Sequence, residues 1–256
     1  MTDPAIPTTR CAARVPGPWK SLSVDSRRSA AAANNAEWCD AVCRARGAAT
    51  RVDPDAWTCS TRTPPYYPDA VTLVPEPSVP ALLSRIDCTP GCSVKDSFAS
   101  VDLTEHGFKV LFEAEWIFRP NTTASITDSH LAWSLVRDPA ELCAWEAVWR
   151  GDDGPIGIFD LSLIENDAIA LLAERRGGRV VAGAVLNRSS TVVGISNYFS
   201  EPSRDARRSW SGCVSFAATL SKSLPLVGYE SGDRLAAAHS EGFVSIGALR
   251  IWQLSG

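Results

Sequence analysis

The stretch AIALLAERRGGRVVAGAVLNRSSTVVGISNYF constrains this chain most: three apolar runs follow one another, broken by Gly177-Gly178 and then by Ser189-Ser190. Residues 168–174, 179–188 and 191–199 are short, apolar and bounded by turn residues, which predicts strands. A Gly-Gly pair supplies the positive φ values that a tight hairpin turn demands. A Ser-Ser pair suits a second turn. The stretch therefore predicts a three-stranded antiparallel meander, and the neighbouring elements must pack against it.

On its upstream side, residues 130–136 read as a strand. Asp138-Pro139 then provides a helix N-cap with proline in the first turn. Leu142, Trp145 and Trp149 follow at helical spacing, which assigns the two tryptophans to the core. A short helical turn is expected near 159–164. Downstream come a helix over 205–220, a short buried strand over 226–229, an alanine-rich helix over 233–240 closed by Gly242, and a final strand over 243–254. Residues 130–256 thus form one α/β domain.

The N-terminal half reads less regularly. Residues 1–33 are rich in Pro, Ser, Arg and Ala without an apolar period, which predicts a flexible leader. A helix is expected over 34–47, with Trp38, Ala41, Val42 and Cys43 on one stripe. Short strands near 56–60 and 70–74 flank a loop that Pro64, Pro65 and Pro68 hold extended, carrying Tyr66 and Tyr67. Helical turns over 79–86 and strands over 94–101 and 108–118 complete an α+β lobe spanning 34–120. Pro120-Asn121-Thr122-Thr123 reads as the linker to the second domain.

Charge and composition exclude several functions. A net charge of −4 and a pI near 5.5 give no electrostatic reason to bind nucleic acid or an anionic membrane. The arginine clusters (Arg175, Arg176, Arg179; Arg204, Arg207, Arg208) are short and read as solvated faces. No run approaches the ~20 apolar residues of a membrane helix. The first residues lack the apolar core of a signal peptide, so a cytoplasmic protein is expected. In that compartment the eight cysteines are expected as reduced thiols. The spacings Cys39/Cys43 and Cys88/Cys92 are not those of a zinc knuckle, the three histidines are scattered, and no metal is expected. No G-x-S-x-G, P-loop or H-E-x-x-H motif occurs.

The order strand, helix, short helix, three antiparallel strands, helix, strand, helix, strand resembles the GNAT superfamily of acyl-CoA N-acyltransferases. Three pieces carry the resemblance: the meander quoted above, LVGYES, and DRLAAAHSEGFVSIGALRIWQL with its Gly-Phe junction. It covers about half the chain and implies a mixed α+β sheet, an α/β fold of GNAT type. The strand order of the N-terminal lobe is similar enough to suggest a shortened second copy. The resemblance also implies acetyl-CoA or another acyl-CoA as cofactor, its pyrophosphate held by a loop of form [Q/R]-x-x-G-x-[G/A] after the fourth strand. Glycines there let backbone N–H groups at a helix N-terminus approach the phosphates. In this chain the stretch is Ser200-Glu201-Pro202-Ser203-Arg204-Asp205-Ala206-Arg207-Arg208-Ser209, without a glycine. Pro202 lacks an N–H, Glu201 and Asp205 repel phosphate, and only Arg204, Arg207 and Arg208 offer it charge.

Several side chains are candidates for chemistry. Glu113 and Glu115 alternate onto one face of the 108–118 strand. If that face lines a cleft, one carboxyl is raised and suits acid/base work; the alternative is an outward polar face, which Lys109 favours. Trp116 follows Glu115 and alternates onto the other face, with Phe112 and Ala114. Asp96 falls with Phe98 and either orients a substrate or ties down a turn. Asn187, Ser196 and Asn197 end two meander strands, and Tyr229 and Glu230 end the 226–229 strand. The resemblance implies that the fourth and fifth strands splay, which sets Ser196, Asn197, Tyr229 and Glu230 around one gap. The family's usual tyrosine on the next helix is absent, leaving Tyr229 and His239 as substitutes by proximity, His239 reading rather as a surface residue at the helix end. The expected function is acyl transfer to an amine, or a related reaction on an acylated intermediate of secondary metabolism, with a small-molecule or carrier-tethered substrate. The alternatives are a cofactor-free cyclisation, hydrolysis or elimination, or a binding module.

Overall fold

A computed structural model describes residues 22–121, 132–202 and 205–255. Arg204, His130 and residues 1–21 lie outside them. The meander forms as the sequence predicts: β7 (Ile169–Arg176), β8 (Arg179–Arg188) and β9 (Val193–Ser200) pair antiparallel in succession. Gly177 and Gly178 take φ values of 54° and 80° at the hairpin. β6 (Trp133–Leu135) closes the far edge on β7. Between them α3 (Pro139–Arg150) starts on Asp138, whose side chain accepts the Glu141 N–H.

The N-terminal strands are β1 (Thr50–Val52), β2 (Ala56–Cys59), β3 (Ala70–Thr72) and β4 (Ser93–Asp96), with the short helix α2 (Val79–Leu83) between β3 and β4. β4 is shorter than expected. Asp96 ends it by accepting the N–H groups of Phe98 (3.2 Å) and Val101 (2.9 Å), turning the chain through Ala99 at φ 48°. The long strand β5 (Phe108–Arg119) follows.

The two halves share one sheet. Its order is β1-β2-β3-β4-β11-β5-β10-β9-β8-β7-β6, where β10 is Leu226–Glu230 and β11 is Val244–Leu254. β5 therefore lies between two strands of the C-terminal half and pairs antiparallel with both. The sheet runs unbroken across the boundary expected between 120 and 130.

Helix α1 (Val24–Ala45) corrects the expected leader, since its first ten residues belong to the 1–33 segment. Ser23 caps it, accepting the Ser26 N–H at 3.1 Å. The alanine run carries no bulky period, yet alanine is the strongest helix former and its small side chain lets a helix lie close on a sheet. Ala31, Ala32 and Ala36 are buried there.

α1 and α3 cover one face of the sheet, with Trp38, Val42, Leu142 and Trp145 in the core beneath them. The other face carries α2, α4 (Ala206–Leu220) and α5 (Gly232–Ser240). Among the described residues no helix is long and apolar enough to cross a membrane.

Candidate active site

The sheet opens at one place. β9 and β10 run parallel and are in register only at Val193–Leu226 and Gly194–Val227. Beyond those pairs both strands continue but no longer face each other. A β-bulge in β9 accounts for the departure: Val185 faces Ser196 and Gly183 faces Phe199, so β9 carries an extra residue against β8. An extra residue bends its strand and ends regular pairing. Asn197 absorbs the bend at φ 52°, a conformation asparagine tolerates better than most side chains. Its Oδ1 accepts the Trp38 indole N–H of α1 at 2.9 Å.

α1 is pinned beside the opening. Asn34 Nδ2 donates to the Asn187 carbonyl (2.9 Å) and Asn187 Nδ2 donates to the Asn34 carbonyl (2.8 Å), both buried. A Cβ at position 194 would collide with Asn34 Oδ1, so only glycine fits where helix and strand meet.

A cavity lies on each face of the sheet at this opening. On the α4/α5 face, one of about 360 Å³ is walled by Tyr198, Trp210, Ala236 and Ala237, with Glu230, Asp233, Arg207 and Arg234 as its charged lining. The buried Trp210 indole N–H has no hydrogen-bond partner among the described residues. Burial raises the Glu230 carboxyl to about 7, with Arg234 opposing. Burial likewise pushes the Tyr198 phenol up to about 12. On the α1 face, a groove of about 560 Å³ runs over β4, β11, β5 and β10, roofed by the proline loop with Tyr66 and Tyr67. Tyr229 stands at its end, edge-on to Trp116 at 5.5 Å and under the Lys95 ammonium at 4.3 Å. Successive strand residues face opposite ways, so Tyr229 and Glu230 look into the two cavities.

The other predicted residues divide sharply. Glu115 is directly across from Glu230 in the β5–β10 pair, so the two carboxylates share a face. Glu113 is 61% exposed and bound by Arg250 at 2.7 Å, away from the opening. Asp96 is a turn residue and not a substrate ligand, because its carboxylate is spent on backbone N–H groups. Trp116 is 1% exposed and donates its indole N–H to the Ser97 carbonyl at 2.8 Å, so it backs Tyr229 from behind. Asn187 is a tie to α1, with its amide engaged by Asn34. Ser196 does border the opening, with a buried hydroxyl that has no partner. Arg207 lines the α4/α5 cavity, and Arg208 is exposed on the first turn of α4.

Sequence reading missed Lys95, Trp38 and Tyr67, which come to the opening from β4, α1 and the proline loop. Sequence offered little signal for Lys95, because β4 reads Ser-Val-Lys-Asp and its other polar residues mask the lysine.

No protein-family model matches the sequence, and no curated protein matches it either. Solved structures do resemble it. A GCN5-related N-acetyltransferase from Kribbella flavida is similar over 88% of this chain and 96% of its own, at 13% identity and a TM-score of 0.59. A GNAT-family protein from Novosphingobium aromaticivorans is similar over 81% and 92%, at 12% identity and a TM-score of 0.55. A conserved protein of unknown function from Staphylococcus epidermidis is similar over 80% and 93%, at 12% identity and a TM-score of 0.54. The likeness extends over the N-terminal strands as well as the meander, and the fold of this chain is the GNAT fold.

Proposed function

We propose that this chain transfers an acyl group from a thioester to an amine at the β9/β10 opening, in small-molecule metabolism. The thioester is a short or carrier-tethered one, and not a coenzyme A ester gripped by its pyrophosphate. The observation that carries this reading is a cavity on each face of the sheet beside the splayed strands, with the adjacent residues Tyr229 and Glu230 lining one each. Such an arrangement admits two substrates from opposite faces and lets them react in between.

The residues at the start of α4 do not fit a pyrophosphate. Asp205 caps the helix, and its carboxylate accepts the Arg208 N–H at 3.1 Å. A negative charge thus occupies the position where phosphate oxygens would be held. Glu201 adds a second carboxylate, tied to Arg179 at 2.8 Å, and Pro202 has no N–H to give. The cavity beyond is largely apolar and suits an uncharged arm.

In this reading the amine nitrogen attacks the thioester carbonyl, forming the C–N bond. Glu230 takes the proton that nitrogen loses. As the C–S bond breaks, Glu230 gives that proton to the departing sulfur and is restored. A carboxyl raised to about 7 is matched to both transfers near neutral pH. Tyr229 bounds the acceptor side.

The test compares S-acetyl-N-acetylcysteamine with acetyl-CoA as donors, following thiol release across a panel of primary amines. We expect kcat/KM values within about threefold of each other, because the nucleotide adds no binding specific to the transition state. A preference of about a hundredfold for acetyl-CoA overturns the donor assignment. Absence of amine-dependent thiol release from either donor overturns acyl transfer.

A further inference from the structure

Lys95 is 3% exposed on β4, yet no carboxylate among the described residues lies within ion-pairing distance of it. Its ammonium donates to Asn35 Oδ1 at 2.6 Å and lies over the Tyr229 ring at 4.3 Å. An amide oxygen and an aromatic face leave donor capacity on the ammonium, which carries three N–H bonds. A charge removed from water without a counter-ion is costly, and buried charges are ordinarily paired.

The register explains where this charge looks. Lys95 pairs with Ile251, and Ile251 with Phe112, so the three side chains share the groove face of the sheet. The other charges lining that groove cancel: Arg62 binds the fully buried Asp69 at 2.9 Å. One positive charge remains at the Tyr229 end. A second polar group joins it. Tyr67 is 6% exposed, and its hydroxyl lies beside Asn197 without a bond of good geometry. The rest of the lining is mixed: Tyr66, Phe112 and Ile251 supply an apolar wall, and Thr63, Ser93 and Gln253 add polar groups.

We propose that the groove binds an apolar carboxylate, with the carboxylate on Lys95 and the apolar body lying outward under Tyr66. The ligand supplies the anion that Lys95 lacks, and the groove's size is ordinary for a small-molecule site. Resting on the acyl-transfer reading, the acceptor is then an amino acid with an apolar side chain. Its carboxylate and amine sit close together, one aromatic ring away from the opening. Lys95 in that case positions the acceptor and takes no part in bond making.

Isothermal titration of the full chain with 3-phenylpropanoate and with 3-phenylpropanamide tests the site without turnover. Its result therefore stands apart from success or failure of the acyl-transfer assay. The acid should bind about tenfold tighter than the amide, as a charge-assisted contact requires. Lys95→Met should erase that preference and leave amide affinity unchanged, while Lys95→Arg should keep most of it. Tyr66→Ala should weaken acid and amide alike. Equal binding of acid and amide by the unsubstituted protein overturns the proposal, as does no binding of the acid at about 20 mM. Neither of these readouts depends on a variant folding. Tight acid binding that Tyr66→Ala leaves untouched overturns the groove as its location.

Discussion

At Glu230 burial lifts the carboxyl from an ordinary 4.5 to about 7, which predicts a consequence for both rate and stability. For rate, Glu230→Gln should lower kcat/KM by about 10²–10⁴ and remove the acid limb of the pH profile near 7, measured with the thiol-release assay. For stability, the folded protein keeps a proton between 4.5 and 7 that the unfolded chain has lost. The stability this group confers is therefore full below about 4.5 and is lost as pH rises through about 7. At about 1.36 kcal/mol per unit the swing is about 3 kcal/mol at most, and urea titrations of Glu230→Gln should show it flattened. The thiols offer a second test at this scale. Burial raises Cys39 to about 11, and Cys213 is equally enclosed, whereas Cys88 and Cys143 are exposed. A thiol reagent should label Cys88 and Cys143 in the folded protein and reach Cys39 and Cys213 only on unfolding.

Among the elements, α1 decides whether the opening exists in a usable form. It brings Trp38 to the bulge and Asn34 to the mouth of β8 and β9. Asn187→Ala removes the side-chain donor that ties the buried Asn34 carbonyl of α1 to β8 and should cost about 1 kcal/mol in urea unfolding. Gly194→Ala drives a methyl into Asn34 Oδ1. It should destabilise the protein, and the loss should shrink in an Asn34→Ala background, a coupling that a double-mutant cycle measures. The alanine run hid the first ten residues of this helix from a period-based reading, which found it only from 34 onward. Amphipathic periodicity registers large apolar side chains, and α1 packs its N-terminal half through small ones. α4 and α5 were legible because their caps and apolar stripes lie within a single segment.

For the whole molecule, the placement of β5 matters most. β10 and β11 are neighbours only through it, since each pairs with β5 along its length. The C-terminal half therefore lacks the middle of its own sheet. A fragment of residues 132–256 should be insoluble or unfolded when made alone, and co-expression with residues 22–121 should restore a soluble complex. Circular dichroism and co-purification of the two pieces check this. A sheet missing an interior strand exposes two edges that aggregate readily.

The sequence alone determined the parts: the meander, the Asp138 cap and the helix it starts, the helices after β9 and β10, and Tyr229 and Glu230 at the end of β10. Each of these depends on interactions within a few residues, which composition and spacing record directly. The tertiary structure decided the grouping. It placed Glu115 opposite Glu230, sent Glu113 out to Arg250, spent Asp96 and Asn187 on backbone groups, and brought the buried Lys95 to the groove under the proline loop. Those outcomes follow from strand register and helix docking across long stretches of chain. A one-residue change of register turns a side chain from one face of a sheet to the other, and no local pattern fixes that choice.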